Sequence, residues 1–130
     1  MSRGLTVALV LLAAAGGPAA GAPVCEEGGP LQPVALRVAR EGVFLTVDAV
    51  VANRSAGTIH ALQVAGEFYN FFGELVRVGV AGLVPLDLAP GHRASAALVV
   101  PYSESARTLV LRFSWREERG PAQSAVACRL

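Results

Sequence analysis

The sequence contains no lysine, and all eleven of its basic residues are arginine. Catalysis that depends on a lysine amine, such as Schiff-base chemistry, is therefore excluded. The chain has ten acidic residues, so the loss of a leader that carries Arg3 would leave equal numbers of basic and acidic groups. Nucleic acids and anionic membranes both select a basic surface. The balanced charge therefore argues against either as a partner.

Histidine is scarce, with only His60 and His92 in the chain. A metal site would require both to converge with a carboxylate such as Asp87 or Glu104, and two ordinary surface histidines are the simpler interpretation. The sequence also lacks a Gly-x-Ser-x-Gly nucleophile turn, a glycine-rich phosphate loop and a stripe of basic and aromatic residues. We predict a non-enzymatic protein without a cofactor. A small enzyme or metal carrier that uses His60 and His92 is the least favoured alternative.

Long hydrophobic runs are absent except at the N-terminus. Arg3 precedes the apolar run Leu5–Ala15, and the small-residue segment Gly16–Ala22 follows it. This order is typical of a secretory signal peptide, and the run is shorter than the ~20 apolar residues that span a bilayer. The pattern predicts a signal peptide over residues 1–22 and an exported protein, periplasmic or extracellular. A buried N-terminal helix is the alternative.

Cleavage of the signal peptide is expected after Ala22, with Gly21 as the rival position because Pro23 would otherwise be the first mature residue. The remaining 108 residues suffice for one domain. No membrane insertion is expected after cleavage.

Only two cysteines are present, Cys25 and Cys128. In an exported protein, two such residues are expected to form a disulfide with each other. A metal site would need further ligands, and a redox pair would need a Cys-x-x-Cys spacing that this chain lacks. A disulfide brings its two Cα atoms within about 7 Å. The first and last strands of the domain are therefore predicted to lie close together.

Between the cysteines, apolar residues recur at every second position, as expected for strands with one buried face. Trp115, at the end of the last such run, is predicted to point into the core. The alternating positions are Val34, Leu36 and Val38; Val43, Leu45, Val47, Ala49 and Val51; Leu62, Val64 and Phe68; and Leu109, Leu111, Phe113 and Trp115.

Turn residues separate these runs, and no helical periodicity is found outside the leader. Seven short strands joined by frequent turns favour an all-β fold, a single immunoglobulin-like antiparallel β-sandwich over residues 23–130. A small β-barrel is the alternative. The predicted strands cover residues 33–39, 43–52, 58–69, 74–88 (split by Gly79 and Gly82), 93–100, 107–117 and 122–128.

About half of the predicted domain carries a further pattern. An Asn-x-Ser turn follows the second strand, an aromatic-Tyr-Asn hairpin ends the third, and a Leu-x-Pro-Gly corner leads into an alanine-rich strand. The residues concerned are Asn53 and Ser55; Phe68, Tyr69, Asn70 and Gly73; and Leu88, Pro90 and Gly91. The stretch Val50–Val100 thereby resembles FxLYD-type and related immunoglobulin-like domains of bacterial exported and surface proteins. The resemblance implies a non-enzymatic adhesion, binding or spacer module.

The tripeptide Asn53-Arg54-Ser55 matches an N-glycosylation acceptor. A plain turn is the interpretation that we favour, and glycosylation of Asn53 is left open.

The hairpin after the third predicted strand places Phe71 and Phe72 where Asn, Asp or Gly is usual. In one interpretation a ring folds back and caps the end of the sandwich. In the other, Tyr69, Phe71 and Phe72 form an exposed contact site for a protein partner, since aromatic residues dominate interface energetics. We therefore predict an exported protein-binding or adhesion module. A structural component of an envelope complex is the alternative.

Overall fold

The structure is a computed structural model, and it describes residues 23–130. The predicted signal peptide lies outside the described residues. Within residues 23–130 the chain forms strands and no helix. This part of the chain therefore contains no helix that could cross a membrane. The strands are β1 (Val24–Cys25), β2 (Leu31–Glu41), β3 (Phe44–Asn53), β4 (His60–Tyr69), β5 (Leu75–Gly82), β6 (Arg93–Pro101), β7 (Thr108–Glu117) and β8 (Gly120–Arg129).

The strands form two antiparallel sheets that pack face to face. One sheet has five strands in the order β1-β8-β7-β4-β5, and the other has three in the order β2-β3-β6. Val84, which follows β5, exchanges two backbone hydrogen bonds of 2.9 Å with Ser95 at the free edge of β6. The predicted all-β, sandwich-like fold is thus confirmed. The barrel alternative is wrong, because the strands form two sheets that this isolated bridge links at one point, and not one closed sheet.

The period-two pattern places one face of most strands in the core. Trp115 is 6% exposed and donates its indole N–H to Glu117 Oε2 at 2.9 Å, so its predicted inward position is confirmed. Val43 was assigned to the buried face but is 70% exposed, because it lies in the turn between β2 and β3. The buried alternating residues include Leu45, Val47, Ala49 and Val51; Leu62, Val64 and Phe68; and Leu109, Leu111 and Phe113.

The predicted strand over residues 74–88 is too long, although its predicted interruption at Gly82 coincides with the end of β5. β5 ends at Gly82, and the chain then turns so that Leu83 and Leu88 are buried while Val84 is exposed. Pro85 has no N–H to donate and cannot continue a strand ladder on both sides. Residues 83–88 are apolar because Leu83 and Leu88 both enter the core from a loop. Their composition resembles that of a strand, which accounts for the error.

Two glycines allow the sheets to approach closely beneath β4 and β5. Gly66 and Gly79 are register partners. A Cβ atom at Gly66 would lie 2.7 Å from Leu98 Cδ1, and one at Gly79 would lie 2.8 Å from Val100 Cγ1. Both distances are shorter than carbon atoms tolerate, so a Cβ atom at either position would force the Leu98 or Val100 side chain to shift. The two glycines therefore serve packing rather than backbone freedom.

The predicted Cys25–Cys128 disulfide is confirmed. The two cysteines are direct partners in the β1–β8 register, with Cα atoms 3.9 Å apart. β1 has only two residues, and the covalent bond attaches it to the edge of the five-stranded sheet. The bond joins residues separated by 103 positions, so it also lowers the conformational entropy of the unfolded chain. In the chain-entropy description this stabilises the fold by about 4–5 kcal/mol.

Asn53 connects two loops at one end of the sheets, the one between β3 and β4 and the one between β5 and β6. Its side chain is buried, and Nδ2 donates to the carbonyl oxygens of Gly57 and Leu88, both at 2.9 Å. Oδ1 accepts hydrogen bonds from the backbone N–H and the hydroxyl of Ser55, at 2.9 and 2.7 Å. The nitrogen that would carry a glycan is therefore buried and bonded. In the folded domain Asn53 is a structural turn residue.

Replacement of Asn53 with alanine is expected to lower the free energy of unfolding by about 2–3 kcal/mol, because buried backbone groups lose their partners. For a domain of this size the melting temperature should fall by roughly 10 °C. Thermal unfolding followed by circular dichroism measures the change. Arg54→Ala at the exposed neighbour is the control, with an expected change within about 0.5 kcal/mol. Equal stability of the two variants would contradict the connecting role of Asn53.

Candidate functional site

The hairpin between β4 and β5 projects two phenylalanine rings into solvent. Phe71 and Phe72 are each 82% exposed, the largest exposures among the bulky apolar residues described. Their ring centroids lie 5.6 Å apart in an edge-to-face arrangement. Neither ring caps the end of the sandwich. The pair, together with the turn that carries it over residues 70–74, is called the hairpin tip below.

Asn70 holds the backbone of the hairpin tip in one conformation. Its Oδ1 accepts hydrogen bonds from the N–H groups of Phe72 and Glu74, both at 2.9 Å. Its Nδ2 donates to Glu74 Oε1 at 2.8 Å, and its backbone N–H donates to the Glu74 carbonyl at 2.9 Å. Gly73 completes the turn with φ of +79°, a conformation that glycine adopts without a steric cost. The turn is therefore ordered by polar contacts, independently of the two rings.

Tyr69 belongs to a different cluster, on the outer face of the five-stranded sheet. Its hydroxyl donates to Glu67 Oε1 at 2.7 Å, and Arg112 Nε donates to the same oxygen at 2.7 Å. The structure thus brings Phe71 and Phe72 together at the tip, while the Tyr69 hydroxyl is bound at the end of β4. The combined contact role of the three residues stays a prediction.

Glu67 is kept ionised by this cluster. The hydrogen bond from Tyr69 lowers the pKa of the Glu67 carboxyl, burial opposes it, and the hydrogen bond and charge of Arg112 lower it further. The hydrogen bond to Glu67, together with the Tyr69 hydroxyl and the charge of Glu67, raises the pKa of the Arg112 guanidinium. Sequence reasoning missed this cluster, because Arg112 meets Glu67 only through the pairing of β4 with β7.

Other exposed apolar side chains lie at the same end of the two sheets as the hairpin tip. Tyr69 at the end of β4 pairs with Thr108 at the start of β7, which pairs with Arg129 at the end of β8. The turn between β2 and β3 reaches the same end, where the Val43 carbonyl accepts from Tyr102 N–H at 2.8 Å. The exposed residues concerned are Val24, Val43, Phe44, Leu75 and Leu130.

Arg77 ties the two sheets together beside the hairpin tip. Its guanidinium donates to the carbonyl oxygens of Pro101 and Tyr102, both at 3.1 Å, and to that of Val76 at 2.7 Å. Arg40 lies over the Tyr102 ring, 3.9 Å from its centroid, in a cation–π contact. Two arginine side chains therefore connect the strands at this end of the domain. They hold in place the backbone that carries the exposed apolar groups.

The two histidines lie at the opposite end. His60 Nδ1 is 3.4 Å from Asp87 Oδ1, so one of the carboxylates considered for a metal site does adjoin a histidine. His92 lies in the turn before β6, and Glu104 lies in the connection from β6 to β7, at the end of the hairpin tip. Across residues 23–130, no three side chains of the metal-ligating types are grouped.

The chain matches no family model and no curated protein. The functional interpretation of the hairpin tip therefore depends on its geometry alone.

The lowered pKa of Glu67 predicts how its contribution to stability depends on pH. A carboxyl whose folded-state pKa is below its ordinary value of 4.5 stabilises the fold above that value, and the contribution is lost as the pH falls through the folded-state pKa. Melting temperatures of the wild type and Glu67→Gln, measured from neutral to acidic pH, should therefore differ at neutral pH and converge in acid. A difference that stays constant with pH would contradict the ionic role.

Proposed function

We propose that residues 23–130 form an exported, non-enzymatic, immunoglobulin-like module that binds a protein partner through Phe71 and Phe72. The observation that carries the proposal is the exposure of both rings on a turn that does not need them for its own structure. A phenylalanine side chain buries roughly 200 Å², so two rings at 82% exposure present on the order of 300 Å². The largest exposed apolar patch on a soluble monomer is commonly about 300–600 Å² and is often functional.

The order of the turn favours binding. Five hydrogen bonds at or below 3.0 Å fix the backbone around the rings. A partner that accepts the two rings therefore need not order a mobile loop, and that cost in conformational entropy is avoided. Charged groups of both signs lie close to the two rings, with Glu74 in the tip and Arg77 beside it. An apolar pocket in a partner protein suits such a surface better than a strongly charged ligand does.

The fold and the cysteines support the rest of the proposal. Strands β2, β3 and β6 face strands β8, β7, β4 and β5, an arrangement typical of immunoglobulin-like sandwiches. The Cys25–Cys128 disulfide is compatible with an oxidising compartment outside the cytoplasm.

Strand addition to a sheet edge is a second way in which such modules bind. β5 is an edge strand, but the Arg77 guanidinium extends from it to the carbonyl oxygens of Pro101 and Tyr102 at the end of β6. An arginine folded over an edge hinders the approach of another strand. The hairpin tip is therefore the better-supported contact.

Replacement of Phe71 and Phe72 with serine is expected to abolish capture of a partner from the envelope fraction. The melting temperature should change by no more than about 2 °C, because surface substitutions away from packed features cost within about 0.5 kcal/mol. The matched control is Val80→Ser with Leu86→Ser, which removes two exposed apolar side chains elsewhere and should leave capture intact.

Quantitative mass spectrometry of the captured proteins and thermal unfolding of each variant give the two readouts. A lower melting temperature with unchanged capture would assign the rings to capping and contradict the proposal. A wild-type domain that captures nothing would contradict it as well.

A further inference from the structure

Strand β8 has an unpaired edge over most of its length. Its other edge is paired with β7 throughout, whereas on this side β1 lies opposite only Cys128 and Arg129. Glu26 covers one more position, since its N–H donates to the Ala127 carbonyl at 2.9 Å and its Oε1 accepts from the Ala127 N–H at 3.2 Å. Within residues 23–130 no strand lies beside Pro121–Ala125 on this side. We call this stretch the open edge.

The open edge directs backbone groups away from the sheet. The N–H and the carbonyl of Ala127 point away from β7, toward Glu26. Backbone groups alternate in direction along an antiparallel strand, so those of Gln123 and Ala125 also point away from β7. Pro121 offers only a carbonyl there, because proline has no N–H. The open edge therefore presents the donors and acceptors that an added strand requires.

The other strand edges are better protected against such pairing. Charged side chains, proline and bulges on an edge strand hinder the approach of another strand. β2 carries Arg37 and a register shift after Pro33, and β5 carries Arg77. The free edge of β6 is joined to the segment that follows β5. Apart from the proline at its start, β8 has none of these features, and Gly120–Cys128 contains no charged residue.

The core beside the open edge is incompletely covered. The inward side chains of β8 alternate with those that face solvent. Near β1 they are buried, with Val126 3% and Cys128 0% exposed. Beside the open edge, Ala122 and Ser124 also face inward but are partly exposed. Burial along one face of β8 therefore decreases where β1 no longer covers the edge, and an added strand would complete it.

A second copy of this chain does not suit the open edge. Antiparallel pairing of β8 with itself covers the whole stretch only when it is centred on Gln123. Gly120 of the second copy would then lie opposite Val126. The turn that precedes it, Glu118–Arg119, would collide with Glu26 at the next position. The occupant is therefore a segment of a different protein.

We propose that the open edge of β8 binds an extended segment of another protein, which joins the five-stranded sheet antiparallel to β8 and in line with β1. The stretch accommodates about five residues at ~3.3 Å each. Main-chain hydrogen bonds supply affinity in this mode of binding, and alternate side chains supply specificity. Since β8 is uncharged here, the segment is expected to be uncharged, with apolar side chains opposite Ala122 and Ser124.

This surface is separate from the hairpin tip. The open edge begins beside the turn between β7 and β8, whereas the hairpin tip lies at the end where β7 begins and β8 ends. The domain can therefore hold a strand at one surface and accept a partner at the other.

Backbone hydrogen exchange, measured residue by residue by NMR, tests whether the edge is open. In the purified domain the N–H groups of Gln123 and Ala125 are expected to exchange faster than those of Ala122 and Ser124, which point toward β7. Equal protection of all four in the monomer would overturn the proposal, because the edge would then be covered already.

Selection from a phage library of random peptides tests binding. The wild type is expected to select uncharged peptides with alternating apolar residues, and a selected synthetic peptide should slow exchange at Gln123 and Ala125. Ala125→Pro removes one donor at a position where an edge strand tolerates proline, and it should weaken binding about tenfold. Ala125→Lys, which leaves the backbone unchanged, should weaken binding through its charge. Ala125→Ser is the matched control and should bind as the wild type does.

Four results would overturn the proposal. They are a wild type that selects no peptide, peptides that bind the proline and lysine variants as tightly as the wild type, a dimer that protects Gln123 and Ala125, and loss of peptide binding in the double serine variant of Phe71 and Phe72. The third would assign the edge to a second copy, and the fourth would place the peptide at the hairpin tip. None of them decides whether the tip captures a partner.

Discussion

The structure depends on one constraint: nearly every strand gives alternate side chains to a single core shared by two sheets. This constraint decides which apolar residues are buried, since an outward position of a strand or the tip of a hairpin has no access to the core. Leu109, Leu111 and Phe113 are buried by it, while Val99 and Phe71 are left in water. Among the bulky apolar residues that the core excludes, Phe71 and Phe72 at the hairpin tip are the most exposed. The hairpin tip carries the functional interpretation.

Most of the fold could be predicted from the sequence because it follows from local periodicity. The seven predicted strands correspond to β2 through β8, and the disulfide correctly brings the ends of the domain together. The errors arise where periodicity and packing diverge. Residues 83–88 are apolar because Leu83 and Leu88 enter the core from a loop. β1 is too short for a pattern and is detectable only through its bond to Cys128.

The site could be predicted only in part. The sequence places Phe71 and Phe72 in a turn, but the direction of the rings depends on how Asn70 bonds Phe72 and Glu74. The position of the Tyr69 hydroxyl depends on Glu67 and Arg112, which are 45 residues apart in the chain and meet through strand register. The surroundings of Asn53 could likewise be predicted only in part. Its sequence context favours a turn residue, but the burial of its side chain and its hydrogen bond to Leu88 depend on contacts between distant parts of the chain.

The central claim is that the hairpin tip presents its rings to water in the isolated domain. Acrylamide quenching of tryptophan fluorescence in a Phe71→Trp variant tests it directly, because the only native tryptophan, Trp115, is 6% exposed. The account predicts that the introduced indole is quenched nearly as readily as free indole, while Trp115 remains protected. An introduced indole as protected as Trp115 would show that the ring is packed against the domain, and would contradict the account.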